Sequence, residues 1–122
     1  MEKHFNNETN KKYKIKCMGY VYLICDPAND TFKIGVTKKL DIEERVRKLQ
    51  TGNSTELFIR SYYECEYPFR LEKMLHTRFH NKRQVGEWFS LNINDIINFK
   101  NICDELNLII KSLESNPFMN MT

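Results

Sequence analysis

The four cysteines, Cys17, Cys25, Cys65 and Cys103, never occur as a C-x-x-C pair. That argues against zinc ribbons and redox motifs, and each thiol reads as a small buried hydrophobe. There is no signal-peptide pattern and no apolar run of about 18 residues that would span a bilayer. The expectation is an intracellular protein, in the cytoplasm or a host nucleus, with reduced thiols and no membrane partner. Strong charge of one sign is also missing: the net charge of +3 permits a polyanionic partner without demanding one. No internal repeat is visible. With 122 residues there is length for one domain with a modest core, but not for two.

What is present is patterned. Between Gly19 and Gly35 two short runs rich in Val, Ile, Tyr and Phe flank the turn-forming Asp26-Pro27-Ala28-Asn29-Asp30, the signature of a β-hairpin. Alternation puts Tyr20, Tyr22 and Ile24 on one face, with Val21, Leu23 and Cys25 on the other. In the second run Lys33, Gly35 and Thr37 oppose Phe32, Ile34 and Val36, so two phenols and an ammonium share a face. Asp41 reads as the N-cap of a helix through Gln50, with Glu44 completing a capping-box pattern. Ile42, Val46 and Leu49 form its core stripe with Arg45 at the flank, and Gly52 is the expected left-handed terminator.

Leu57 to Cys65 is the third strand candidate. Pro68 opens a second helix, to about Asn81, that buries Leu71, Leu75 and Phe79. Glu72, His76 and His80 follow one another at i, i+4 and i+8 on a neighbouring polar stripe. Asn81 to Val85 reads as a basic loop, and Gly86 to Leu91 as a short aromatic strand or extended segment. Asn94 or Asp95 then caps a long amphipathic helix with the stripe Ile96, Phe99, Ile102/Cys103, Leu106, Ile109/Ile110 and Leu113. That stripe is expected to pack on the sheet, giving a monomer; a homodimer seam through this helix is the other option. The division is a flexible basic arm over 1–17, one domain over 18–114 and a frayed tail over 115–122.

Tyr20-Val21-Tyr22 followed by Lys33-Ile34-Gly35 resembles the GIY-YIG endonuclease superfamily. More narrowly it is similar to the phage and large-DNA-virus branch, where the second motif is spelled K-I-G. The likeness continues through K-I-G-V-T, R-x-x-x-L-Q-T-G-N (Arg45 to Asn53), L-E-x-x-L-H-x-x-F (Leu71 to Phe79) and G-E-W-F (Gly86 to Phe89), covering about residues 19–91 in order. The resemblance implies an α+β fold, a small three-stranded antiparallel sheet flanked by helices, and a metal-dependent phosphodiesterase acting on DNA. It implies Tyr22 as the catalytic tyrosine, Arg45 as the arginine on the scissile phosphate and Glu72 as ligand of a single Mg²⁺ or Mn²⁺. Lys33 stands where most relatives carry the second tyrosine, and a family asparagine beyond the glutamate has no clear counterpart; Glu87 or Trp88 falls in its neighbourhood, as a brace of the site or of the core.

Each of these residues also has a plainer reading. Phosphodiester cleavage needs an activated water and a counter-charge for the developing phosphorane. A phenol with a pKa of about 10 serves as base only beside a cation that favours its phenolate, and Lys33 is the expected cation. Otherwise Tyr22 is a half-buried sheet tyrosine. Arg45 is a fork for phosphate oxygens or one more charge on a solvated helix. Glu72 is a hard oxygen ligand or the partner of Lys73 or Arg70. His76 shuttles a proton, contacts phosphate or packs; with His80 it lacks the further ligands a zinc site requires. Tyr20, Lys38, Lys39, Arg47, Lys48, Lys82 and Arg83 are the candidates for nucleic-acid contact. The function expected is DNA endonuclease; the alternative is a catalytically inactive nucleic-acid-binding module of the same fold.

Overall fold

The computed structural model describes residues 17–38 and 42–115. Residues 1–16 of the predicted arm, Lys39, the Asp41 cap and the tail from 116 lie outside the described residues.

Alternating apolar residues give the hairpin of Gly19–Asp26 (β1) and Thr31–Thr37 (β2), which pair antiparallel with Tyr22 opposite Gly35 and Ile24 opposite Lys33. Residues 27–30 make the turn. Asp30 closes it at φ 51°, a left-handed conformation that Asp tolerates better than most side chains. Buried Asp26 accepts hydrogen bonds from Asn29 (2.8 Å) and Thr55 (3.1 Å), which ties the turn to the loop before the third strand. That strand, Phe58–Cys65 (β3), lies along the other edge of β1, with a bulge where the register shifts between Leu23 and Ile24.

The sheet has five strands rather than the three expected. Arg83–Val85 (β4), read from sequence as a basic loop, and Trp88–Phe89 (β5) form a second hairpin, and the strand order is β3-β1-β2-β5-β4. Gly86, at φ 55°, supplies the left-handed turn between them. Pairing of Phe32 with Phe89 and of Lys33 with Trp88 covers part of the outer edge of β2 that a three-stranded sheet would leave bare.

Both faces of β1 are buried, which makes three layers. Ile42–Thr51 (α1) lays Ile42, Val46 and Leu49 on Tyr20, Tyr22 and Ile24. On the opposite face Pro68–Arg78 (α2) and Phe99–Glu114 (α4) cover Val21, Leu23, Phe32 and Ile34 with Leu71, Leu75, Phe99, Cys103, Leu106 and Ile110. The long helix therefore spends its stripe on the sheet, as expected. Tyr63 fastens it further by donating to Asp104 at 2.6 Å. Ile109, which spacing placed on the stripe, is 45% exposed.

The helix ends depart from the sequence reading for local reasons. Gly52 is not left-handed; Asn53 instead donates from its side chain to Leu49 and from its backbone to Gln50. The second helix stops at Arg78, because Lys82 N–H bonds the Phe79 carbonyl in a 3-10 turn over His80–Lys82. The last helix is two. Asn92, not Asn94 or Asp95, is the cap of Ile93–Ile97 (α3), with Asp95 returning the bond in a capping box, and Asn98 separates it from α4. No helix among the described residues is long and apolar enough to cross a membrane.

Burial pushes the Cys65 thiol up to about 11 and the Cys103 thiol up to about 12. In native protein at pH 8, iodoacetamide should leave both unmodified for as long as the fold holds, and alkylate them on unfolding in urea. Mass mapping of Cys103 modified at its unfolded rate under native conditions would show that α4 does not pack on the sheet.

Candidate active site

The site is built outward from Lys33-Ile34-Gly35 in β2. The Tyr22 ring lies across Gly35 so closely that a Cβ there would stand 2.3 Å from the phenol oxygen. Only glycine lets the ring lie flat on the strand. The packing of α1 brings Arg45 over the ring, and its Nε donates to the Tyr22 oxygen at 3.3 Å. That bond, with the phenol's partial negative charge, holds the Arg45 guanidinium above its ordinary pKa. Tyr22 is fully buried, with half-buried Arg45 between it and solvent.

Lys33 shares the Tyr22 face, as alternation predicts, but its ammonium is directed elsewhere. The register sets Lys33 between Ile24 and Trp88, one step along from Tyr22. There Nζ donates to Glu87 Oε1 at 2.7 Å and lies 5.7 Å from the Trp88 ring centre. The cation on the phenol is Arg45.

Ile34 carries the link to the opposite face. Its N–H donates to the Glu87 carbonyl at 3.1 Å, where the β2–β5 ladder ends. Its carbonyl is taken by His76 Nε2 at 2.9 Å, so a side chain of α2 occupies the next place along the ladder. A carbonyl only accepts, hence Nε2 carries the proton and Nδ1 keeps the lone pair. Nδ1 receives Arg83 Nη2 at 3.3 Å, and the ring stands edge-on to Phe89 with centroids 5.0 Å apart. Because the ladder stops here, groups from both faces of the sheet meet round its end. One potential ligand atom from each of Glu72, His76 and Glu87 lies within 4.8 Å of the others, and all three residues are half-buried.

Two carboxylates and an imidazole suit a divalent ion that retains several waters. Glu72 and His76 were legible as an i, i+4 pair on one helix stripe. Glu87, which the sequence offers only as a brace of the site or the core, joins the cluster because the segment after Gly86 folds back on α2, a contact that nothing local reveals. Its position in G-E-W-F was the available signal. Alongside runs an open groove of about 440 Å³, lined by Glu72, Lys73, His76, Thr77, His80 and Arg83.

The other basic and aromatic candidates are dispersed. Tyr20 is 8% exposed and donates to Glu64 at 2.7 Å, a bond that raises its pKa. Lys38 is exposed at the end of β2, 5.5 Å from the Phe69 ring centre. Arg47 and Lys48 are exposed on α1, the latter 3.6 Å from Glu44. Lys82 is committed to Asp95 of the α3 capping box. Of this group Arg83 touches the Glu72–His76–Glu87 cluster, through His76 Nδ1.

An antiparallel sheet between helices, with an arginine-capped tyrosine on one face and a carboxylate–imidazole cluster round its edge, defines a small α+β domain with a polar site. The chain belongs to the T5orf172 domain family, whose model matches residues 19–104, from β1 into α4. That domain is associated with nuclease-like proteins. No curated protein and no solved structure matches the chain.

The Lys33–Glu87 pair is asymmetric, its side chains being 11% and 39% exposed. Glu87→Ala strands a nearly buried ammonium and should cost about 2 kcal/mol, whereas Lys33→Met returns a carboxylate to water and should cost about 0.5 kcal/mol or less. Urea unfolding of both variants checks this, and equal losses would contradict the geometry.

Proposed function

We propose that the domain is a metal-dependent DNA endonuclease of the GIY-YIG type, hydrolysing phosphodiester bonds at the sheet edge round Lys33-Ile34-Gly35. The observation that carries the reading is the 3.3 Å bond between Arg45 and Tyr22, whose ring lies on Gly35 of β2, next to the Ile34 carbonyl that binds His76. A tyrosine under an arginine fork is a base placed beside its phosphate anchor. A divalent ion held by Glu72, Mg²⁺ or Mn²⁺, would supply positive charge to the phosphate and leaving oxygen. Arg45 binds the non-bridging phosphate oxygens by its remaining N–H groups and steadies charge as the phosphorane forms. Its movement onto the phosphate uncovers the Tyr22 oxygen, which gives its own proton to solvent and, as the phenolate, takes the proton of the attacking water. Lys38, Arg47 and Lys48 lie on exposed surface from which they can meet the flanking backbone.

One observation favours a second reading, nucleic-acid binding without turnover. Tyr22 is sealed at 0% exposure. A protein held in that state would bind DNA in a salt-sensitive manner and leave it intact.

Supercoiled plasmid incubated with the purified protein and Mn²⁺ or Mg²⁺ should be nicked. Tyr22→Phe, which keeps the ring on Gly35, and Glu72→Ala should each lower the rate by about 100-fold or more. Nicking that persists in both variants and in chelator rejects the assignment. Intact DNA with binding that weakens in salt selects the second reading.

A further inference from the structure

We infer that the divalent ion is held by three side chains, Glu72, His76 through Nδ1, and Glu87, and that it must take Glu87 from Lys33 and His76 from Arg83. The inference deepens the nuclease reading and rests on it only for the use made of the ion. One ring nitrogen of His76 and one carboxylate oxygen from each of Glu72 and Glu87 lie within 4.8 Å of one another. His76 donates Nε2–H to the Ile34 carbonyl at 2.9 Å, the outer bond that typically fixes a metal-binding imidazole and aims its other nitrogen. Nδ1 and the Glu87 carboxylate are both met by cationic groups, Arg83 Nη2 at 3.3 Å and Lys33 Nζ at 2.7 Å. Two cationic side chains thus lie on a half-buried carboxylate–imidazole cluster whose ligand atoms fall within 4.8 Å of one another.

Two consequences follow from ligand chemistry. An imidazole in the set favours transition ions such as Mn²⁺ and Co²⁺ over Mg²⁺, which prefers oxygen. Lys33 becomes a competitor of the metal, so binding the ion frees its ammonium from Glu87. Lys33 then regulates loading of the site.

The test uses Mn²⁺ and Mg²⁺ alone, with the full chain and no DNA. Mn²⁺ titration followed by electron paramagnetic resonance should give one tight site, showing nitrogen coupling in the pulsed spectrum. Mg²⁺ should compete weakly. His76→Gln, whose amide can still donate to Ile34, should abolish the nitrogen coupling and weaken Mn²⁺ by about tenfold or more, with little effect on Mg²⁺. Lys33→Met should tighten Mn²⁺ several-fold, and this variant serves if His76→Gln fails to fold. A site lost in Glu72→Ala but indifferent to His76→Gln and Lys33→Met would overturn the inference and leave the nuclease reading standing. Nitrogen-coupled Mn²⁺ in a protein that never nicks plasmid would do the reverse.

Discussion

The contact of the Tyr22 ring with the bare Cα of Gly35 is the constraint on which the arrangement depends. The phenol oxygen lies where a Cβ would be, at 2.3 Å, so the ring can be accommodated only if β2 offers no side chain at that point. Register then follows. With Tyr22 opposite Gly35, Lys33 falls beside Ile24 and Trp88, and Ile34 turns its side chain into the opposite core. A slip of one residue would drive Lys33 or Ile34 onto the wrong face. The flat ring in turn gives α1 a surface for Ile42, Val46 and Leu49, and that seat is what carries Arg45 to the phenol.

The second determinant is that β5 is short. Its two residues satisfy β2 only at Phe32 and Lys33, and the Ile34 carbonyl would be left unpaired were it not met by His76. A buried backbone carbonyl without a donor costs about 1–3 kcal/mol, so His76 has a structural duty alongside any chemical one. The same ladder end lets Glu87 reach Lys33 on one side and the α2 carboxylate–imidazole pair on the other. The site lies at the sheet edge for this reason: elsewhere the sheet separates the two layers.

Patterns of short range were legible in the sequence. The period of two in β1 and β2 sorted Tyr20, Tyr22, Lys33 and Gly35 onto one face, and helical spacing placed Glu72 and His76 together and Arg45 beside its core stripe. Contacts between distant segments were not. The Lys33–Glu87 pair spans 54 residues and the His76–Ile34 bond 42, and no local periodicity encodes either. Lys33 is expected beside the Tyr22 phenol because both share a face; the register carries it to Glu87, and the packing of α1 sets Arg45 on the phenol instead. The strand at Arg83–Val85 was hidden by its charge, since its residues are exposed and show no alternation of burial. Asn98 breaks the last helix where the apolar stripe continues unbroken, a choice that spacing alone does not reveal.

Thermal unfolding of Gly35→Ala beside Gly52→Ala tests the central constraint most directly. A Cβ at Gly52 would come no nearer than 4.0 Å to the Leu49 carbonyl, and its backbone is not left-handed, so this variant isolates the general effect of adding a methyl group. Gly52→Ala should unfold within about 2 °C of the parent, or slightly above it. Gly35→Ala should fall by roughly 10 °C or more, the consequence of about 3 kcal/mol of overpacking in a domain of this size. Equal midpoints for the two variants would mean that Tyr22 does not lie on Gly35, and the site as described would not exist.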